Sequence, residues 1–459
     1  MFLANLPECS PIFPPRFEQQ TMRFTLTLCL AAAFGTLSAQ RAPIEFEEYD
    51  LKNGLHVILH EDHSAPIVAV SVMYHVGSKN ENPERTGMAH FFEHLLFEGS
   101  ENIGRGEFFK YIQNAGGQNN ANTSNDRTFY YEVLPSNQLE LGLWLESERM
   151  LHAKVDKAGI ETQREVVKEE RRQRVDNQPY GNLIEETMKR AYTEHPYQWP
   201  VIGSMQHLNA AEDQEFTEFY ETFYVPNNAV LSIAGDFNRK DLKRMIEMYF
   251  GSVPTGTNDI PRPDIIEPKK VAEVRDTIWG DDQLPLVLMA YPIPAEGTPD
   301  YYAVDLLNTA LSGGQSSRLN RAVVDDQELA VFCGAFSFGL EDPGQTIAYA
   351  VANIGTDPSQ VETAMVSEIN KVKALGISDA ELSKLKNQVE SGFVQSNSTM
   401  RGIAESLANY HMYFGDADLI NNEIDRYMAV TAQDIQNAAI KYYDHDHRVV
   451  LYFMNENAQ

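Results

Sequence analysis

The chain has 459 residues, 43% of them hydrophobic and 22% charged, a globular composition that is too long for one ordinary domain and points to about two or three. Its formal net charge is −29, from 37 Lys+Arg against 66 Asp+Glu, and this balance excludes nucleic acid as a partner because phosphate binding needs a basic footprint. Acidity on this scale serves solubility and is compatible with a preference for basic peptides.

Residues 1–21 are Pro-rich without a helical period and are expected to be an upstream extension, with translation starting at Met1 or Met22. Residues 22–39 read as a secretory signal. Met22-Arg23 precedes an apolar run from Phe24 to Phe34, and Gly35-Thr36-Leu37-Ser38-Ala39 supplies small residues before Gln40. The run is too short for a comfortable membrane span, and no later segment is long and apolar enough to make one. Cys29 follows Leu28 rather than a small residue, which argues against a lipoprotein anchor. Cleavage would leave Cys333 alone of the three cysteines, so an intrachain disulfide is excluded. The expected product is exported, with a bacterial periplasm as its compartment and no stable membrane anchor.

The remainder divides into two halves, residues 40–253 and 264–459, joined by a turn-rich linker over 254–263. The first half opens on strands at 55–59 and 67–72 and closes on one at 229–234. The second opens on 284–291 and closes on 448–453. A helix follows each opening, at His90 and at Tyr301–Asn308. The fold class is α+β, with two homologous α/β-sandwich domains, each an antiparallel-rich sheet packed by helices and related by internal duplication. Aligning Gly99 with Gly313 puts Val304, Leu307 and Asn308 at the positions of His90, Glu93 and His94, so the second half keeps the helix and loses its ionisable groups.

The most informative stretch is Gly87-Met88-Ala89-His90-Phe91-Phe92-Glu93-His94-Leu95-Leu96-Phe97. It has no helix breaker and reads as a buried helix. His90 and His94, four residues apart, share a face and suit one metal ion, with Glu93 beside them. This is the reverse of His-Glu-x-x-His and a zinc-protease signature. A pair of helical histidines is more often a hydrogen-bonded core or surface feature, but three ionisable groups on so apolar a helix are costly to bury without a compensating partner such as a metal. A catalytic zinc needs a third protein ligand and an open position. Glu165, Glu169 and Glu170 lie in an amphipathic helical stretch over 161–172, where solvated i,i+4 ion pairs are the plain reading of each, and spacing does not choose among them.

The mature chain resembles the pitrilysin/insulinase family of zinc peptidases, most closely its short, processing-peptidase-like branch. The resemblance rests on several segments. These are His90-x-x-Glu93-His94; Arg164-Glu165-Val166-Val167-Lys168-Glu169-Glu170; Gly117 to Thr123 with Asp126, Thr128 and Tyr130; Pro179-Tyr180-Gly181; His195-Pro196-Tyr197 with Gly203-Ser204; and Tyr224 to Ala229. It implies Glu170 as third ligand, one Zn2+ per chain, and Glu93 as general base towards a water whose pKa the metal lowers to about 7. It also implies an edge strand at Asn120, Ala121 and Thr123 that binds extended substrate by strand addition. Where relatives carry a further Glu supporting the metal ligands, this chain has Gln163, which can hydrogen-bond without charge.

Relatives also use an Arg and a Tyr in the zinc-less half to hold the substrate and its developing oxyanion. Anchored on Gly313-Gly314-Gln315-Ser316-Ser317-Arg318-Leu319, these positions are Val324 and Val331, and Arg321 lies three residues from the first. The resemblance therefore implies a heterodimer with a homologous zinc-less subunit that supplies the Arg/Tyr pair, four domains closing around a chamber for short or unfolded peptides. A homodimer or lone chain with weakened catalysis is the alternative arrangement. The alternative functions are a non-catalytic binding or structural subunit of the same fold, and an unrelated metal-binding or storage protein.

Overall fold

The computed structural model describes residues 42–456, so the predicted extension and signal segment, with Cys9 and Cys29, lie outside the described residues. The first half runs β1 (Glu47–Asp50), β2 (His56–Glu61), β3 (Ile67–Tyr74), α1 (Met88–Leu95), α2 (Phe108–Asn114), β4 (Gln118–Thr123), β5 (Thr128–Pro135), α3 (Leu139–His152), α4 (Lys157–Arg171), α5 (Leu183–Ala191), α6 (Met205–Ala210), α7 (Asp213–Phe223), β6 (Ala229–Gly235) and α8 (Arg239–Phe250). The second runs β7 (Val274–Gly280), β8 (Leu286–Pro292), α9 (Pro299–Ser312), β9 (Ala330–Phe338), β10 (Gln345–Ala352), α10 (Pro358–Leu375), α11 (Asp379–Ser396), α12 (Met400–Phe414), α13 (Leu419–Ala429), α14 (Ala432–Tyr442) and β11 (Val449–Asn455).

The strands form a six-stranded sheet, β1-β2-β6-β3-β5-β4, and a five-stranded sheet, β7-β11-β8-β10-β9. β2 runs parallel to β6, and β7 parallel to β11; every other pairing is antiparallel. Leaving β1 aside, the two sheets share order and direction strand for strand, as a duplicated α/β unit requires.

The strands alternate, but both faces are apolar. In the first sheet Val57, Val70, Val72 and Ile233 point into a core with Phe91, Phe92, Leu143 and Ile160. The opposite face, with Ile58, Ala69, Met73 and Val230, meets Ile403, Ala404, Leu407 and Ala408 of α12 from the second half. The exchange is reciprocal: Leu288, Ala290, Ile347 and Leu451 of the second sheet meet Met188 and Ala191 of α5 from the first. Neither sheet is covered by its own half alone, which is why β3 and β8 read as nearly continuous apolar runs.

A buried charge cluster supports the far end of the motif helix. Arg149 of α3 faces Glu146 at 2.9 Å and Glu132 of β5 at 3.5 Å, with all three side chains inaccessible to solvent. Its guanidinium lies over the rings of Tyr130, Phe97 and Phe108 at 4.3, 4.5 and 4.6 Å. Burial, and then the neighbouring Glu146, push the Glu132 carboxyl well above its ordinary range. The Tyr130 hydroxyl donates to the Phe92 carbonyl at 3.0 Å, which ties the cluster to α1. Arg149→Leu strands two buried carboxyls and is expected to cost about 3–5 kcal/mol of stability, measured as a lowered urea midpoint. A midpoint at the wild-type value would contradict it.

Candidate metal centre

Helix α1 starts at a constrained point. Gly87 has φ 96°, and a Cβ there would lie 2.8 Å from the Ile202 carbonyl oxygen and 2.9 Å from Gly203 Cα. The Gly87 and Ala89 amides both donate to the buried Glu81 carboxylate at 2.8 Å, so Glu81 satisfies the first free N–H groups of the helix. Burial pushes the Glu81 carboxyl up to about 8, opposed by these N–H groups.

One face of α1 presents His90 and His94 to α4. Helix α4 is capped by Asp156, whose side chain accepts from the Gly159 amide, and it packs on α1 through Leu95, Ile160 and Val167. This brings Glu170 Oε2 to 3.0 Å from His94 Nε2 and 3.6 Å from His90 Nε2, and the imidazole centroids lie 4.9 Å apart. One ligand atom from each of the three residues falls within 4.8 Å of the others. Glu170 Oε1 pairs at 2.6 Å with Arg174, in the π turn Arg172–Asp176 that follows α4.

The donor set fits a cation. Glu170 Oε2 is buried and faces both imidazoles without a hydrogen-bond partner. Burial, and then His94, push His90 down to about 4, which keeps its lone pair free; its Nδ1 is also buried without a partner. The contact with His94 holds the Glu170 carboxyl below its ordinary value. Two imidazoles and a carboxylate are a zinc-type set of three.

Glu93 is beside this cluster and outside it. Burial raises its carboxyl, and the Thr123 hydroxyl, donating to Oε2 at 2.7 Å, opposes that rise. Glu165 pairs with Lys168 at 2.8 Å and Glu169 with Arg172 at 3.1 Å, both on the exposed side of α4. Packing therefore separates three glutamates that spacing left equivalent.

Asn120, Ala121 and Thr123 lie on β4, the terminal strand of the first sheet, paired on one side only, with β5. Asn120 is exposed and Ala121 buried. Gln163 donates to Glu98 Oε1 at 2.5 Å, and Glu98 Oε2 is 2.7 Å from Arg105 Nε, so Gln163 hands on to an acid that sequence reasoning did not single out. The signal was available, since Glu98 lies four residues after His94. Glu81 and Arg174 were missed as well, although Arg174 lies only four residues after Glu170.

In the second half, Asn308 receives hydrogen bonds from Thr346 at 2.7 Å and Tyr443 at 2.6 Å and donates to Ser337 at 2.6 Å. A saturated amide network stands where the first half gathers its ligands. Val324 is half-buried against the second core, and Val331 is 50% exposed on the edge strand β9. Neither side chain is a donor.

Known proteins share this architecture. Residues 56–204 match the family described as insulinase (peptidase family M16), and residues 211–389 match the peptidase M16 inactive domain. The chain is 29% identical over 420 residues to the zinc protease PqqE of Helicobacter pylori, covering 91% of this chain and 94% of that one. It is 24% identical to the uncharacterized zinc protease YmxG of Bacillus subtilis, over 88% of this chain and 97% of that one. The crystal structure of a protease from Helicobacter pylori superimposes with a TM-score of 0.85 at 29% identity, covering 90% of this chain and all of that one. The chain belongs to the insulinase, or M16, family of peptidases.

Proposed function

We propose that this chain is an exported zinc metalloendopeptidase acting on short or unfolded peptides. His90, His94 and Glu170 hold the ion, and Glu93 is the general base. The observation that carries the reading is the convergence of three ligand atoms beside a half-buried, proton-accepting carboxylate and a free strand edge.

Bound at these residues, zinc supplies Lewis-acid polarisation of the scissile carbonyl and activation of the attacking water. The protein's own groups do the rest. Thr123 occupies Glu93 Oε2 and leaves Oε1 to take the proton from water and pass it to the leaving amine. The outer edge of β4 pairs with the substrate backbone at Asn120 and Ala121, aligning the scissile bond with Glu93. Gln163, through Glu98 and Arg105, steadies the helical turn that follows His94.

The proposal includes a homologous, zinc-less partner, because Val324 and Val331 offer no oxyanion donor. Export rests on the composition of residues 22–39; no helix among the described residues is long and apolar enough to cross a membrane. Zinc content and hydrolysis of an unstructured peptide, compared for the chain alone and with its nearest encoded homologue, test the reading. The pair is expected to be about 10²–10³-fold more active, the cost of a missing oxyanion donor. Equal activity of the lone chain would refute the partner, and zinc-loaded protein without activity in either form would refute the peptidase.

A further inference from the structure

A second histidine cluster lies away from the candidate metal centre, where the two halves meet. β1 and β2 pair with Asp50 opposite His56 and Glu48 opposite Ile58, so these four side chains stand on one face of the sheet edge. Ile58 packs with Leu407 and Ala408 of α12. His411, one turn beyond Leu407 on the same helical face, reaches the hairpin beside it. The rings of His56 and His411 lie face to face, with centroids 3.4 Å apart and planes 10° from parallel.

The surroundings of this pair are those of a ligand set. His56 Nδ1 is 2.8 Å from Asp50 Oδ1, His56 Nε2 is 3.3 Å from Glu48 Oε2, and the same Glu48 oxygen is 3.7 Å from His411 Nδ1. Glu48 Oε2 faces a ring nitrogen of each histidine. A divalent cation would accept a lone pair from each ring and neutralise the Glu48 carboxylate. One ligand atom each from Glu48, His56 and His411 lies within 4.8 Å of the others.

We infer that Glu48, His56 and His411 form a second divalent-metal site, with Asp50 orienting His56, which clamps α12 of the second half onto the β1–β2 hairpin of the first. Two imidazoles and a carboxylate select zinc over magnesium or calcium. Holding one ion requires the two rings to turn out of their stacked arrangement, because the lone pairs lie in the ring planes. The site is independent of peptide hydrolysis.

The test uses the full mature chain carrying His90→Ala and His94→Ala, which silences the first centre. After chelator treatment and dialysis against micromolar zinc, elemental analysis is expected to find one zinc per chain, and zinc is expected to raise Tm. Adding His411→Ala is expected to abolish both, whereas adding His411→Cys, which keeps a ligand, restores them. Zinc absent from the two-site variant, or retained unchanged after His411→Ala, would overturn the inference. Because the readouts are metal content and Tm, loss of peptidase activity affects neither.

Discussion

Glu93→Gln is expected to lower kcat by about 10²–10⁴-fold while leaving the zinc content at the wild-type level. The amide matches the carboxylate in shape, and its oxygen still accepts from Thr123, 2.7 Å away in the native protein. Neither core packing nor the ligands change. What disappears is the atom that takes the proton from water. Burial has already raised the Glu93 carboxyl towards the pH at which a base works best, a property the amide lacks altogether. The measurement pairs turnover of a fluorogenic unstructured peptide with elemental analysis. Turnover near the wild-type rate in zinc-loaded protein would remove Glu93 from the mechanism.

His94→Ala is expected to abolish both zinc retention at this centre and activity. His94 Nε2 makes the shortest contact in the cluster, 3.0 Å to Glu170 Oε2, and its loss leaves His90 and Glu170 as a two-point site. Disturbing a group one step out from a metal costs about 10–100-fold in affinity, and removing a ligand itself must cost more. The fold should survive, because the core contacts of α1 come from Phe91, Phe92 and Leu95. Dialysed variant protein is therefore expected to be folded by circular dichroism and to hold one zinc per chain fewer than the wild type. Zinc at the wild-type level would show that the ion is held elsewhere. Gln163→Ala provides the contrast: it breaks the bond to Glu98, touches no ligand, and should weaken zinc without abolishing it.

The helix carrying His90, Glu93 and His94 was legible because its information is local. A four-residue separation puts two imidazoles on one face whatever the rest of the chain does. The β3, β6, β8 and β11 runs were legible for the same reason, since apolar side chains on both faces identify buried strands. β4 was harder: Gln118-Asn119-Asn120-Ala121-Asn122-Thr123 has one buried side chain, and only the family resemblance pointed to a strand there. The expectation of a partner likewise depends on two valines that carry no chemistry of their own, at positions located by neighbouring glycines.

The exchange of α5 and α12 was not legible. Each is amphipathic, and its apolar face would suit either sheet. The choice rests on the whole path of the chain, including the coil before β7, where Arg262 donates to the His75 carbonyl at 2.7 Å. Thr123 shows the same limit at a single residue: its hydroxyl donates to Glu93, thirty residues away, a contact that spacing does not reveal.

By itself, then, the amino-acid sequence determined the helix with its three ionisable groups, the duplicated order of strands and helices, and the loss of ligands from the second copy. These follow from periodicity within single elements. Spacing left Glu165, Glu169 and Glu170 equivalent and the family resemblance pointed to Glu170, which packing brings to the imidazoles; tertiary structure alone decided that Gln163 leads to Glu98 and that His56 meets His411 across the halves. Periodicity says which residues share a face; which faces meet depends on burying the most apolar surface across segments far apart in the chain.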